Sequence, residues 1–229
     1  VIPTIHPAAT FRTAGWERRC RRDWLRIAGD ACFRDLRTPD REHFTRPTLS
    51  DVAGFVHDTA AHADKLAVDI ETPGGTITCI GFSYDPSFSI TIPTTLSYWG
   101  SEAALAEAWH AIKTLCQNDI SKITHNGHFD TFWLADREVS LRMWMWDTLA
   151  LHHAIDATED HALAYCASVD TREPYWKDEA KDPEEAAKYA SNLEAFWVYN
   201  GKDACVTREL SDVYIDHLQM DGRLDFYHD

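Results

Sequence analysis

The segment L-A-V-D-I-E-T, residues 66–72, places two carboxylates inside an otherwise apolar run. In a strand, side chains alternate between two faces, so Asp69 and Glu71 share one face while Val68 and Ile70 share the other. Like charges a few Å apart repel each other, and burial increases that cost unless a cation lies between them. Because carboxylate oxygens bind hard divalent cations, the pair is a candidate metal site. The alternative is a strand end at the rim of a sheet, with both acids in water.

The D-x-E spacing alone does not decide between these two interpretations, because it occurs four times in this acidic chain. Only the pair Asp69/Glu71 lies in an apolar strand. The other three pairs lie in polar loops or at predicted helix starts, where solvated acids are expected: Asp40/Glu42, Asp136/Glu138 and Asp182/Glu184.

Two later motifs add acids in an informative order. H-N-G-H-F-D, residues 125–130, places Asp130 one helical turn after Asn126 and just after a short predicted strand. Y-N-G-K-D, residues 199–203, places Tyr199 and Asp203 four residues apart, on one face of a predicted helix. The spacings N-x-x-x-D and Y-x-x-x-D each occur once in the chain.

The elements that must position these acids follow from periodicity and turn signals. We predict five strands, of which the first three form a meander and the M-W-M-W strand lies in the core: 65–71, 76–84, 88–93, 122–126 and 141–146. The predicted helices cover 16–37, 49–61 with Ser50 or Asp51 as its cap, 101–116, 127–134, a segment capped by Asp147, and a final segment with Y-N-G-K-D. The charged and aromatic composition of residues 169–183 predicts a loop. The result is an α/β protein with a mixed five-stranded sheet flanked by helices.

The three motifs D-I-E-T, N-x-x-F-D and Y-x-x-x-D, in this order, resemble those of the DnaQ-like (DEDD) 3′–5′ exonucleases. The tyrosine marks the DEDDy subgroup, which includes the proofreading domains of family A and family B DNA polymerases. The resemblance covers roughly residues 60–220. It implies a ribonuclease H-like fold and a proofreading exonuclease that hydrolyses phosphodiester bonds at the 3′ end of DNA with two divalent ions, Mg²⁺ or Mn²⁺.

The resemblance also implies a role for each motif residue. Asp69 would bridge both metal ions, Glu71 and Asp203 would complete the first metal site, and Asp130 would hold the second ion. Tyr199 would hydrogen-bond the attacking water and orient it.

Further residues are candidates for binding the single-stranded 3′ end. Thr72 and Asn126 match positions that fix the terminal nucleotide or the local loop. Stacking on aromatic rings would supplement phosphate contacts. The candidate stacking and phosphate-binding residues are Phe129, Phe132, Tyr175, Trp176, Lys177 and Lys181. Core packing for the two phenylalanines and solvation for the two lysines remain open alternatives.

Longer stretches narrow the resemblance to phage-type family A polymerases: W-D-T-L-A-L-H-H-A, R-E-P-Y-W-K-D-E and Y-N-G-K-D-A-C-V-T. The N-terminal V-I-P-T-I-H-P-A-A-T-F-R resembles the closing segment of uracil-DNA glycosylase-superfamily domains, with His6 at the motif histidine. Because the earlier glycosylase motifs are missing, we assign no glycosylase activity. We expect 1–48 to be an appendage, the remnant of an upstream domain plus a linker, and 49–229 to be the exonuclease domain. A polymerase domain would follow in the full protein.

Charge and composition limit the partners. The net charge is -15, and residues 1–50 hold ten arginines and six acids, so the remainder carries twelve basic and 31 acidic residues. Such a body binds nucleic acid poorly through bulk electrostatics, and a site with bound metal would have to attract the phosphate. The sequence has no apolar run near 18 residues, so no membrane partner is expected. Scattered cysteines favour reduced thiols, and we expect a monomer in the cytoplasm, that of the host for a phage protein.

Two other functions fit the same fold. One is a ribonuclease D-like 3′–5′ exoribonuclease, because no residue decides the sugar preference. The other is a catalytically silent scaffold domain, in which metal-binding acids are often replaced. All four acids are present here, which argues against a scaffold.

Overall fold

The computed structural model describes residues 6–13, 16–33, 35, 37–174 and 192–228, and the chain divides into two compact units, Val1–Thr38 and Pro39–Asp229. The division comes before the boundary at residue 48 that the sequence suggested. In the first unit a short 3₁₀ helix, Pro7–Phe11, precedes helix α1, Trp16–Asp30. The predicted basic helix therefore ends earlier than residue 37, and Arg37 turns back to pair with Asp30 at 3.0 Å.

The second unit is built on a mixed sheet of six strands in the order β1-β4-β3-β2-β5-β6. The strands are β1 Glu42–Phe44, β2 Lys65–Glu71, β3 Cys79–Asp85, β4 Phe88–Pro93, β5 Ser121–Thr124 and β6 Trp144–Asp147. Strands β2, β3 and β4 form the predicted antiparallel meander, and β5 runs parallel to β2. The mixed sheet is confirmed, but the predicted count of five strands is wrong.

The strand that the sequence missed is β1, which lies in the stretch read as a linker. It pairs in parallel with β4, with Glu42 opposite Phe88 and Phe44 opposite Ile90. A second correction concerns M-W-M-W. Strand β6 is an edge strand rather than a core strand, and Met143 and Met145 are 46% and 39% exposed.

Eight helices follow in the described part of the second unit: α2 Leu49–His62, α3 Leu96–Trp99, α4 Glu102–Gln117, α5 Gly127–Ala135, α6 Thr148–Ile155, α7 Leu163–Asp170, α8 Leu193–Met220 and α9 Leu224–His228. Helix α2 begins at a capping box in which Thr48 is the N-cap and Asp51 accepts the backbone N–H of Thr48, so the predicted N-cap at Ser50 or Asp51 was wrong. The predicted caps Ser101 and Asp147 are confirmed for α4 and α6. None of the described helices is both long enough and apolar enough to cross a membrane.

The alternation of β2 separates two sides of the sheet. Leu66, Val68 and Ile70 join the apolar core that α2 and α4 cover. The intervening residues face the other side, where the 28-residue helix α8 packs across β2, β3 and β4. A second core, formed by α6, α7 and the C-terminal half of α8, lies behind that helix. The acids of β2 therefore face α8.

Candidate functional site

Three carboxylates converge where the C-terminal end of β2 meets α8. Asp69 and Glu71 come from β2 and Asp203 from α8, and one oxygen of each lies within 4.8 Å of those of the other two. Asp203 is 3% exposed, while Asp69 and Glu71 are half-buried. We call these three residues the acidic site.

The donor set of the acidic site fits a hard divalent cation. Its ligand atoms are all carboxylate oxygens, which suit Mg²⁺, Mn²⁺ or Ca²⁺. Three like charges at this spacing repel each other unless a cation lies among them. The same negative field acts on Cys79, whose thiol pKa is raised first by burial and further by Glu71 and Asp69. The acidic site could therefore hold a metal ion.

Asp130, the fourth predicted acid, lies beside this group rather than in it. It comes from the first turn of α5 and is 4% exposed, and its Oδ1 accepts a hydrogen bond of 3.2 Å from the backbone N–H of Ile70. That bond ties Asp130 to the stretch of β2 between Asp69 and Glu71. The pKa of Asp130 is raised to about 7, mainly by burial and to a smaller extent by the charge of Asp147, whereas the hydrogen bond from Ile70 opposes the shift.

The turn that leads into α5 is held by Asp147. Its carboxylate accepts the backbone N–H of Asn126 at 3.0 Å and of Gly127 at 2.7 Å, and it also caps α6. Asn126 adopts φ 63°, a conformation that asparagine tolerates. A Cβ at Gly127 would lie 2.2 Å from Thr124 Oγ1, so only glycine fits. The sequence identified Asp147 as a helix cap but not as the clamp on this turn.

Tyr199 and Asp203 lie one helical turn apart on α8, as their spacing predicted. Tyr199 is half-buried and packs against the second core, while Asp203 belongs to the acidic site. The carboxylate of Asp203 therefore belongs to the acidic site, whereas the ring of Tyr199 contacts the second core.

Sequence reasoning missed two residues at the crossing of α8 and β2. Asn200 is completely buried, and its Nδ2 donates to Asp69 Oδ2 at 2.7 Å and to the Asp69 carbonyl at 3.1 Å. Gly81, opposite Asp69 in the register of β3, leaves room for Asn200, because a Cβ there would lie 2.8 Å from Asn200 Oδ1. The available signals were Asn-Gly within a helix and glycine within a strand, both disfavoured by propensity.

Four of the candidate substrate-binding residues lie in the described part of the chain, close in sequence to Glu71 or to Asp130. Thr72 follows β2 and is half-buried, and Asn126 is exposed. Phe129 and Phe132 of α5 are 45% and 67% exposed, so the alternative that they pack in the core is wrong. The other four candidates lie outside the described residues: Tyr175, Trp176, Lys177 and Lys181.

Comparisons with known proteins find similar structures but no similar sequences. No family model and no curated protein matches the chain. The POL domain of Pol1 from M. smegmatis, in complex with DNA primer-template and dNTP, superposes with a TM-score of 0.59 at 14% identity; the match covers 81% of this chain and 29% of the polymerase chain. This chain therefore spans under a third of that structure.

Nucleases of similar length also match. A structure described as the apo form of a nuclease gives a TM-score of 0.60 at 18% identity, covering 83% of this chain and 87% of the other. Brucella melitensis NrnC with bound Mg²⁺ gives 0.54 at 20% identity, covering 83% and 86%. At these identities the matches show the fold alone. The predicted fold class is confirmed: this chain has the ribonuclease H-like α/β fold of these nucleases.

Proposed function

We propose that this chain is a metal-dependent 3′–5′ exonuclease that removes nucleotides from the 3′ end of DNA, as the proofreading module of a DNA polymerase. One observation carries the proposal: Asp69, Glu71 and Asp203 converge within 4.8 Å of one another. The three residues belong to two of the motifs that resemble DEDDy exonucleases. The fold shared with nucleases and with a polymerase structure supports the same conclusion.

Hydrolysis of a phosphodiester requires an oriented water, a stabilised leaving oxygen and neutralised phosphoryl charge. Two divalent ions, when bound, supply all three. In our proposal, Asp69, Glu71 and Asp203 would hold one ion, and Asp130 would help to hold the second. Tyr199, one turn before Asp203, hydrogen-bonds the attacking water.

The residues around the acidic site would position the 3′ end. Asn126 is exposed on the turn before α5, and Phe129 on the first turn of that helix is 45% exposed. A base stacked on Phe129 would place its phosphate near the acids, because α5 also carries Asp130. Stacking of this kind is tolerant of sequence, as removal of mismatched ends requires. Thr72, Tyr175, Trp176 and Lys177 remain predictions as further contacts.

A second candidate function is a ribonuclease D-like 3′–5′ exoribonuclease. The observation that favours it is the match to the nuclease NrnC, with a TM-score of 0.54 at 20% identity over 83% of this chain. A solved structure of NrnC bound to pGG also matches, with a TM-score of 0.54 and 22% identity.

The test uses 5′-labelled oligonucleotides with Mg²⁺ or Mn²⁺: a DNA primer with a mismatched 3′ end, the matched primer, and an RNA of the same sequence. We expect a ladder that shortens from the 3′ end, faster on mismatched DNA, and abolished by EDTA and by Asp69→Ala. Asp216→Ala is the control, because it removes an exposed acid from the same helix. Preference for RNA would favour the second function, and no cleavage together with no metal binding would favour a scaffold domain.

The wider setting is also proposed. It comprises a polymerase domain on the C-terminal side, the tail of a uracil-DNA glycosylase-superfamily domain at residues 1–15, and a monomer in the host cytoplasm. These features depend on the motif resemblance.

A further inference from the structure

We propose that Asn200 is a positioning residue, which fixes the carboxylate of Asp69 in the orientation that binds metal. The inference rests on the proposed function. Asn200 comes from α8 between Tyr199 and Gly201, outside the set of acids and the tyrosine that the motifs identify. Its Nδ2 donates to both the side-chain Oδ2 and the backbone carbonyl of Asp69, at 2.7 and 3.1 Å.

The chemistry of the two acceptors fixes the orientation of the amide. A carboxylate and a carbonyl accept hydrogen bonds and donate none, so only the NH₂ group of Asn200 can face them. A flipped amide would place its oxygen against the charge of Asp69. Two bonds from one nitrogen to the backbone and the side chain of the same residue restrict how that side chain can rotate. Because the hydrogen bond engages Oδ2, the carboxylate keeps acceptor capacity for a cation.

The surrounding structure is shaped to admit this side chain. Gly81 lies directly opposite Asp69 in the sheet, and a Cβ there would lie 2.8 Å from Asn200 Oδ1 and 2.9 Å from its backbone oxygen. A Cβ at Gly201 would lie 2.6 Å from Ser89 Oγ. Because glycine has no side chain, Gly81 on β3 and Gly201 on α8 allow the helix to approach the sheet closely enough for Asn200 to reach Asp69.

Packing alone does not explain an asparagine at this position. Its Oδ1 is buried and has no hydrogen-bond partner among the residues that the structure describes. An unpaired buried acceptor destabilises a fold, whereas leucine has a similar shape without that penalty. The amide thus lowers the stability of the fold but contacts a proposed metal ligand. This combination is expected of a residue that is kept for function rather than for stability.

The experiment compares the isosteric variant Asn200→Leu with the matched control Thr207→Val. Thr207 is also buried on α8, one turn beyond Asp203, and its Oγ1 also lacks a hydrogen-bond partner in the described structure. Mn²⁺ binding is measured by calorimetry, stability by urea unfolding without metal, and kcat and KM on a single-stranded oligonucleotide.

We expect Asn200→Leu to weaken Mn²⁺ binding about tenfold and to lower kcat by about 10- to 100-fold, in the range typical of residues that orient metal ligands. KM should change little because Asn200 lies behind Asp69. Stability should also change little, because leucine keeps the volume and the removal of the unpaired Oδ1 offsets the loss of the hydrogen bonds to Asp69. Thr207→Val should leave Mn²⁺ affinity and kcat unchanged. A purely structural role would instead change stability and leave metal affinity as in the wild type.

Asn200→Ser retains a shorter donor, so its Mn²⁺ affinity should lie between those of the wild type and Asn200→Leu. This variant keeps the test decisive if Asn200→Leu fails to fold. Wild-type metal affinity in Asn200→Leu, or a serine variant no better than the leucine variant, would overturn the inference. A wild-type protein that neither binds Mn²⁺ nor cleaves would instead overturn the proposed function.

Discussion

Strand β2 and helix α8 carry ionised side chains at two places, with opposite arrangements. Near the start of β2, Arg208 and Asp212 of α8 meet Asp64 and Lys65, with 3.3 Å between Arg208 and Asp64 and 2.5 Å between Lys65 and Asp212. We call these four residues the ion-paired cluster. Near the end of β2, the acidic site brings three carboxylates within 4.8 Å of one another. The same two elements thus join opposite charges at one place and like charges at the other.

The difference separates a contribution to stability from the contribution to function that we propose. Opposite charges with shared hydrogen bonds hold α8 on the sheet, and Arg208 additionally donates to the Tyr84 carbonyl at 3.1 Å. Repulsion between like charges destabilises the protein without metal, whereas a cation that binds between them stabilises the folded state. Substitutions at the two places should therefore have opposite consequences.

The largest expected effect is on activity, from Asp69→Asn. We expect a loss of about a thousandfold, because metal ions contribute several kcal/mol to catalysis and each 1.4 kcal/mol is tenfold in rate. The free energy of unfolding without metal should stay constant or rise, since the variant removes one of three like charges. Single-turnover hydrolysis and urea unfolding measure the two quantities. Wild-type activity in this variant would remove Asp69 from the proposed mechanism.

Metal should stabilise the wild-type protein. At a Mn²⁺ concentration 100 times its dissociation constant, the free energy of unfolding should rise by about 2.7 kcal/mol. Asp69→Asn should lose most of this increase, and Arg208→Met should keep it. Urea unfolding with Mn²⁺ and with EDTA measures the increment. An equal increase in both variants would mean that the ion binds elsewhere.

Breaking the ion-paired cluster should affect stability alone. The Arg208 side chain is 8% exposed, so Arg208→Met leaves carboxylates without their partner and should lower the free energy of unfolding by about 2 kcal/mol. Activity at temperatures well below unfolding should persist. The control is Arg142→Met, at an ion pair with Asp119 in which Arg142 is 59% exposed, where a change below about 0.5 kcal/mol is expected. A loss of activity without a loss of stability would contradict this division.

The smallest effect concerns His43 of β1, close to α8 at Gly201. Burial, followed by the charges of Lys202 and Arg41, lowers its pKa from 6.5 to about 4, while Glu173 opposes the shift. Between these values the unfolded chain binds a proton that the folded protein does not, so stability should fall as the pH is lowered from 6.5 towards 4. His43→Gln should flatten that part of the profile, whereas His57→Gln, at an exposed histidine, should not. If the plot of stability against pH kept its wild-type shape in His43→Gln, other groups would be responsible for the pH dependence.

The sequence predicted the residues of the acidic site better than it predicted the surrounding residues that hold them in place. Period 2 in β2 and a spacing of four in α8 are local, so they placed Asp69 with Glu71 and Tyr199 with Asp203. The role of Asn200 depends on which strand lies beneath α8, and no local pattern contains that information. For the same reason the spacing did not show that Asp130 would hydrogen-bond the backbone of Ile70.

Prediction of the fold was limited in the same way, because local patterns do not contain long-range pairing. The five longer strands carry β-branched runs, turn signals or, in β6, a run of large apolar residues, and each was predicted. Strand β1 has three residues, E-H-F, and forms only because β4 offers a parallel partner about 45 residues further along the chain. A pattern of three residues cannot predict such a distant pairing.

The short strand β1 has a practical consequence for anyone who shortens this protein. A gene that starts at residue 49 would encode the motifs and all the predicted strands, but it would uncover the outer edge of β4, F-S-I-T-I-P. An exposed edge rich in β-branched residues is a template for intermolecular pairing and aggregation. We expect such a protein to form insoluble material on expression, and one that starts at Pro39 to stay in solution.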